Sequence, residues 1–378
     1  MTLAYSYSGQ RLGETLVLLN SLGTTSEMWS LQMDRWSRRF RILSVEHPGH
    51  GGSGRAEGPY TMDGLGGELV SLLDQLGEGS VNICGLSLGG MVGMWVASRF
   101  PDRVKGLVVA CSSVYLPTEE SWRERAEFVR AHGSVDVLAD ALLARWFTPV
   151  QLEADPAVGR RVLAMISMAD PEGYAGCCEA IGAMDMRGTL TGITARTLVI
   201  AGAEDPVTPP SMMVELLSEI PGSSFLVLPH AAHLANLAQP TAFALAVENH
   251  LLGTEAERGN ELRRTVLGDP HVDRSDRSRD LFNSSFIDFI TENAWGDVWT
   301  RPGLDRRSRS MVTIALLAGL GHHQELKLHV KGALRNGLTS DEIAEVLLHS
   351  AIYAGVPASN TAFAIAREAI AEHELSGE

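Results

Sequence analysis

The stretch Val81-Asn82-Ile83-Cys84-Gly85-Leu86-Ser87-Leu88-Gly89-Gly90 decides the reading of this chain. A run rich in apolar residues enters Gly-Leu-Ser-Leu-Gly, and residues 90–100 continue with a helical pattern. The arrangement is strand, sharp turn, helix, with a serine at the apex. On its own a G-x-S-x-G in a chain with 38 glycines is an ordinary turn. Further along, the apolar run 197–200 leads into Ala201-Gly202-Ala203-Glu204-Asp205, and 225–228 leads into Pro229-His230-Ala231-Ala232-His233. Serine is a poor nucleophile at neutral pH; it needs a base within hydrogen-bond reach, and the base needs a carboxylate to orient it. Ser87, His233 and Asp205 supply those three groups, each just past a strand. His230 and Glu204 are the neighbouring rivals.

Working outward, apolar runs at 15–19, 42–45, 81–84 and 107–110 alternate with helical patterns, including an apolar stripe of leucines over 62–76 that stops at Gly77. Strands without polar alternation, separated by helices, indicate a buried parallel sheet. The chain order Ser, Asp, His on such a sheet resembles the α/β-hydrolases. That resemblance implies an oxyanion hole from two backbone amides, that of Leu88 after the nucleophile and one from the loop Asn20-Ser21-Leu22-Gly23-Thr24, where Leu22 is the candidate. Between about 114 and 190 only helical stretches occur, as expected of an inserted lid. Trp122, Arg125, Arg145 and Trp146 are its candidate substrate contacts, alongside Arg123. An arginine facing the pocket would select an anionic substrate. The run His47-Pro48-Gly49-His50-Gly51 reads as a tight turn after a strand and lacks a further ligand set, so no metal site is expected there.

Residues 18–29, 85–90 and 122–133 are similar to the 3-oxoadipate enol-lactone hydrolases of protocatechuate breakdown. The similarity covers about residues 1–253 and implies hydrolysis of a small lactone that carries a free carboxylate.

The stretch 254–268 is polar and charged and reads as a linker or docking segment. Beyond it, residues 269–378 contain only helical patterns, at about 281–293, 306–320, 323–336, 340–354 and 358–372. Their chemical feature is Glu325-Leu326-Lys327-Leu328-His329. Glu325 and His329 are spaced i, i+4 and share a helix face. A carboxylate beside an imidazole is a usable acid/base pair, and spacing alone also allows an ordinary surface ion pair. Residues 295–304, 306–320, 325–338 and 342–357 resemble 4-carboxymuconolactone decarboxylases, members of the all-α alkylhydroperoxidase-like group. Relatives of the disulfide-reductase type carry C-x-x-C before the histidine; here His322 and Glu325 occupy those places, and no cysteine follows Cys178. Dithiol chemistry is therefore closed to this part. The resemblance implies decarboxylation without a cofactor, His329 donating the proton and Glu325 orienting it. Arg301, Arg306 or Arg307 could hold a carboxylate or serve cap and surface roles, and His349 is a further substrate-contact candidate, although its place on an apolar face favours a core histidine.

Composition sets the outer limits. The chain has 378 residues, 45% of them apolar, and 31 basic against 46 acidic side chains give a net charge of −15. Sequence-independent nucleic-acid binding needs basic surface, and docking on anionic membrane needs it too, so neither partner is expected. Local arginines can still attract small anions. No apolar run approaches the ~18 residues of a spanning helix. The first residues, Met1-Thr2-Leu3-Ala4-Tyr5, have no basic or apolar signal region, and four unpaired cysteines suit a reducing compartment, so the cytoplasm is expected.

The prediction is an α/β-hydrolase fold with a helical lid over 1–253, a linker over 254–268 and a separate all-α domain over 269–378. The two activities would be consecutive: decarboxylation of 4-carboxymuconolactone to the enol-lactone, then its hydrolysis to 3-oxoadipate. No metal or cofactor is expected, and the all-α part should drive homo-oligomerisation. The alternatives are a single-function carboxylesterase or lactonase whose tail is an oligomerisation module, and a ligand-binding protein without turnover.

Overall fold

The computed structural model describes residues 2–55 and 58–376, so the outermost residues of the expected limits, Met1 and 377–378, lie outside it. The chain divides into two compact units, Met1–Leu251 and Leu252–Glu378.

The first unit is built on a seven-stranded sheet of order β1-β3-β2-β4-β5-β6-β7. Its strands are β1 (Tyr5–Gly9), β2 (Thr15–Leu19), β3 (Arg41–Val45), β4 (Val81–Leu86), β5 (Val104–Ala110), β6 (Arg196–Gly202) and β7 (Ser224–Leu228). Strand β1 pairs antiparallel with β3; every other pairing is parallel. The sequence pattern did not reveal β1, because it is an exposed edge strand rather than a buried apolar run. In contrast β4 is buried along its whole length, which matches its largely apolar character; the polar exception, Asn82, donates its side-chain amide to Glu14. Helices α1 (Ser30–Trp36), α2 (Met62–Gln75) and α3 (Leu88–Arg99) connect the early strands.

Between β5 and β6 the chain leaves the sheet and forms five helices: α4 (Glu119–His132), α5 (Ala139–Trp146), α6 (Pro149–Ala154), α7 (Pro156–Ser167) and α8 (Pro171–Gly182). Each start has a local cause. Thr118 and Ser121 form a reciprocal cap on α4, Thr148 and Gln151 do so on α6, and the Asp155 and Asp170 carboxylates accept the first free amides of α7 and α8. The insertion is pinned at its neck by a bridge between Tyr115 and Asp185. The unit ends with α9 (Pro210–Glu219), α10 (Ala235–Ala238) and α11 (Pro240–Leu252).

The second unit is all-helical: α12 (Glu255–Leu267), α13 (Asp269–Arg277), α14 (Ser284–Phe289), a π-helical stretch Ile290–Val298, then α15 (Arg306–Leu320), α16 (His323–Arg335), α17 (Ser340–Ala354) and α18 (Val356–Ser376). Its main core joins Ile314, Leu326, Val330, Ile343, Leu347 and Ala366. The expected linker is corrected here, since 255–267 forms a helix. Thr254 and Glu257 cap it reciprocally, and Leu262, Val266 and Leu267 bury against Trp295. It packs backbone to backbone on the π-helical stretch. A Cβ on Gly259 would stand 2.0 Å from the Thr291 carbonyl oxygen, and one on Gly296 would stand 2.0 Å from that of Glu255. Many charges on its outer face made this helix read as linker.

Candidate active sites

In the first unit, the turn between β4 and α3 places Ser87 at φ 55° and ψ −116°, a conformation that costs energy for a non-glycine residue and lifts the side chain off the strand end. The surroundings hold it there. The Ser87 amide donates to the Ala110 carbonyl at 2.9 Å, and the Ser112 hydroxyl donates to the Ser87 carbonyl at 2.8 Å. Gly89 is required because a Cβ there would lie 2.2 Å from the Leu19 carbonyl oxygen.

Past β6 and β7 stand Asp205 and His233. The His233 Nδ1 lies 2.9 Å from Asp205 Oδ2, and both side chains are buried. The same carboxylate oxygen accepts the Thr208 hydroxyl at 2.7 Å, while Oδ1 accepts the amides of Val207 and Thr208 at 2.8 and 3.1 Å. Burial opposes ionisation of Asp205, but His233 and these donors outweigh it and hold the carboxyl below its usual range. An ionised Asp205 fixes Nδ1 as the protonated nitrogen and leaves Nε2 as the base. The rivals are elsewhere: His230 is exposed and its Nδ1 lies 3.8 Å from Glu204.

Ser87 and His233 line one cavity of about 70 Å³ together with Leu22, Trp122, Arg125, Arg145 and Trp146. Sequence reading names these seven as candidates; among the other lining residues, which it does not name, is Tyr174. Trp122, Arg125 and Arg145 also line an outer vestibule of about 570 Å³. Arg123 does not face the cavity and pairs with Glu120 and Glu127 on α4. The Leu22 and Leu88 amides donate to no acceptor among the described residues, while the amides beside them are engaged: Gly23 with His50 Nε2 at 2.9 Å and Gly89 with the Asn20 carbonyl at 3.0 Å.

The loop that carries Leu22 is held from β3. His50 Nδ1 lies 2.9 Å from the Pro48 carbonyl, so Nδ1 carries the hydrogen and Nε2 accepts from Gly23. Glu46 accepts the Asn20 side-chain amide at 2.7 Å and the Ser26 amide at 3.0 Å, and Asn20 in turn accepts Trp29 Nε1 at 2.9 Å. His47 Nε2 lies 2.9 Å from the Asn20 carbonyl. Burial pushes His47 down to about 3 and lowers His50 as well, so both are neutral.

In the second unit, His329 on α16 stacks against Trp295 (ring centres 6.1 Å apart, planes at 6°) and Trp299 (6.2 Å, 29°). Burial, then the neighbouring His271, lower it to about 4, with Glu325 acting in the opposite sense. Glu325 is exposed and makes no hydrogen bond to His329 among the described residues, so its influence is through charge alone. Lys327 points to α18 and binds Glu368 and Glu372. Sequence reading missed His271 and its surroundings. Arg263 is buried, donates to the Ser275 hydroxyl at 2.8 Å, and with Arg274 and Arg335 adds positive charge around His271. His329 thus stands against two tryptophan rings, with His271 and the arginines that act on it nearby.

Two further candidates lie elsewhere. The Arg307 guanidinium is committed to the Gly337 carbonyl and the Glu342 carboxylate, tying α15 to the start of α17. His349 is exposed rather than core; its ring packs on Tyr353 at 5.1 Å and faces an apolar groove of about 600 Å³ lined by Met311, Val312, Ala315 and Val346. Among the described residues no group of three His, Cys, Asp or Glu side chains could hold a metal ion, and no helix is long and apolar enough to cross a membrane.

Comparison with known proteins accounts for both units. The model of the alpha/beta hydrolase family matches residues 16–247, and that of the carboxymuconolactone decarboxylase family matches 285–368. The chain is 37% identical to 3-oxoadipate enol-lactonase 2 of Acinetobacter baylyi, over 66% of this chain and 92% of that one. It is 49% identical to the 4-carboxymuconolactone decarboxylase of the same organism, over 30% of this chain and 84% of that one. The enol-lactonase structure from Burkholderia xenovorans matches with a TM-score of 0.64 at 37% identity, covering 66% of this chain and 96% of that one. The chain belongs to the alpha/beta hydrolase family and, in its C-terminal part, to the carboxymuconolactone decarboxylase family: it is a fusion of the two.

Proposed function

We propose that the chain carries out two consecutive steps of protocatechuate breakdown, 4-carboxymuconolactone decarboxylation by the second unit and 3-oxoadipate enol-lactone hydrolysis by the first. The carrying observation is that one chain spans 92% of a 3-oxoadipate enol-lactonase and 84% of a 4-carboxymuconolactone decarboxylase; loss of CO₂ from 4-carboxymuconolactone would leave the enol-lactone that the first unit opens. The limits we assign are 1–253 for the hydrolase domain, lid at about 114–190, and 254–378 for the decarboxylase domain, α12 included.

In the second unit the γ-carbon–carboxylate bond breaks and CO₂ leaves. The electron pair moves through the ring double bond onto the lactone carbonyl, giving a dienolate whose α carbon is then protonated. The sink lies in the substrate. His329 is the proton donor. It is neutral in the free unit, so the carboxylates of the bound substrate must raise its pKa before it can give a proton. Glu325 favours the charged form from a distance. Trp295 and Trp299 wall the ring, and Arg263, Arg274 and Arg335 supply the positive field.

In the first unit Ser87 Oγ attacks the lactone carbonyl while His233 takes its proton and Asp205 steadies the imidazolium. The Leu22 and Leu88 amides receive the oxyanion. The ring C–O bond breaks, His233 protonates the leaving enol oxygen, and the enol becomes the ketone. Water, activated by His233, then releases 3-oxoadipate from Ser87. Trp122, Arg125, Arg145 and Trp146 enclose the substrate.

We place the protein in the cytoplasm and expect a homo-oligomer formed through the second unit. There Val312, Leu316 and Leu320 on α15, with Leu348, Ile352 and Tyr353 on α17, expose large apolar side chains. The test is CO₂ release and lactone disappearance in wild type, Ser87→Ala and His329→Ala. Ser87→Ala should release CO₂ and accumulate enol-lactone; His329→Ala should release none yet hydrolyse added enol-lactone. A wild type that hydrolyses esters without releasing CO₂ would leave the second unit as an assembly module.

A further inference from the structure

Tyr174 is a group that the triad chemistry does not use. It lies on α8, is fully buried, and its hydroxyl has no hydrogen-bond partner among the described residues. It lines the cavity shared by Ser87 and His233. Its ring is fixed in place, packed over Gly23, where an added Cβ would meet it at 3.2 Å, and tilted against the His50 ring at 6.4 Å between centres. Burial drives the phenol's pKa well up, only partly offset by Arg125 and Arg145, so the hydroxyl stays protonated and is a donor.

A buried donor without an acceptor is unfavourable, and such groups are normally satisfied. A phenylalanine would fill the same space without that cost. The hydroxyl therefore makes sense if the ligand brings the acceptor. Three acceptor groups of a bound lactone could do so. The developing oxyanion already has the Leu22 and Leu88 amides, and the leaving ring oxygen receives its proton from His233. The third is the free carboxylate. Arg125 and Arg145 point to that choice. Both line the same cavity, both act on the Tyr174 hydroxyl, and neither has a carboxylate partner among the described residues; Arg125 instead lies over the Trp122 ring at 5.2 Å.

We infer that Tyr174, with Arg125 and Arg145, forms the subsite that receives a free carboxylate of the compound bound at Ser87. This rests on the hydrolase reading above and adds to it a neutral donor whose hydrogen bond exists only in the complex. Specificity follows, because a donor left unpaired by a neutral substrate penalises that substrate.

The test is Tyr174→Phe in the full chain, with two readouts. The first compares kcat/KM for 3-oxoadipate enol-lactone with kcat/KM for 4-nitrophenyl acetate, which has no carboxylate. A lost hydrogen bond to a charged group should lower the first about 10- to 100-fold and leave the second nearly unchanged. The second is inhibition of 4-nitrophenyl acetate hydrolysis by adipate, a dicarboxylate that cannot be turned over; its inhibition constant should rise by a similar factor. The adipate arm reads the subsite even if the lactone proves not to be a substrate, which separates failure of this inference from failure of the proposed function. Thermal unfolding of Tyr174→Phe should match or exceed wild type, since an unpaired buried hydroxyl has been removed. Equal loss on both substrates, a lowered unfolding temperature, or no inhibition of wild type by adipate would each overturn the assignment.

Discussion

The contact from His50 to Gly23 makes a sharp prediction about the oxyanion loop. In His50→Ala the Gly23 amide loses the acceptor it now has at 2.9 Å, and the Pro48 carbonyl loses its donor at 2.9 Å. A buried amide without an acceptor costs about 1–3 kcal/mol, and a lost net hydrogen bond adds roughly 1 kcal/mol, so urea unfolding should show about 2–4 kcal/mol of destabilisation. The catalytic effect has a different ceiling. Removing one oxyanion donor costs about 10²–10³ in kcat, and Leu22 is adjacent to the freed Gly23, so kcat should fall at least tenfold and by no more than that ceiling. The assay is steady-state hydrolysis of 4-nitrophenyl acetate with kcat and KM read separately. KM should move little, because the donor acts on the transition state rather than the ground state. His50→Gln, which can offer an oxygen to Gly23, should recover part of kcat. A variant that loses the stability but keeps kcat would refute the reasoning: the bond would then be packing, and the Leu22 amide would not depend on it.

Three other outcomes follow. If His329 must be protonated to act, kcat/KM for CO₂ release, which reports the free enzyme, should fall tenfold per pH unit above about 4, whereas kcat should hold to higher pH because bound carboxylates raise the imidazole; a flat kcat/KM from roughly pH 5 to 8 would rule out this donor. Gly259→Ala should destabilise the second unit by about 3 kcal/mol or more, because its Cβ would sit 2.0 Å from the Thr291 carbonyl, and calorimetry should show the loss alongside reduced CO₂ release; an unchanged transition would mean that α12 is dispensable. His47 stays neutral in the fold down to about 3, whereas in the unfolded chain it takes a proton near 6.5. The unfolded state therefore binds more protons between those values, so stability should drop on acidification through that window by up to about 1.4 kcal/mol per pH unit, and His47→Gln should flatten the slope measured by urea titration at several pH values.

The sequence was informative wherever one residue's neighbours along the chain determine its role. Buried parallel strands are near-continuous apolar runs, so most of the hydrolase sheet could be read directly, and the serine turn and the residues past β6 and β7 are local motifs. What could not be read is apposition between distant segments. Nothing in the stretch around Tyr174 says that a lid helix brings this residue to a cavity lined by Ser87, and nothing in His47-Pro48-Gly49-His50 says that the second histidine faces the Gly23 amide rather than a metal. The same limit explains the second unit. His271 belongs to a charged helix and acquires meaning only when α13 comes near α16. Arg307 and His349 were picked out by charge and by an apolar face, yet the fold spends the first on Glu342 and leaves the second exposed. For α12 the signal was present but outweighed: the Thr254 and Glu257 cap marks a helix start, and Leu262, Val266 and Leu267 mark its buried stripe. Polarity averaged over a segment describes its solvent face. The positions that decide whether it folds are the few that its partner covers, and in α12 one of those is a glycine.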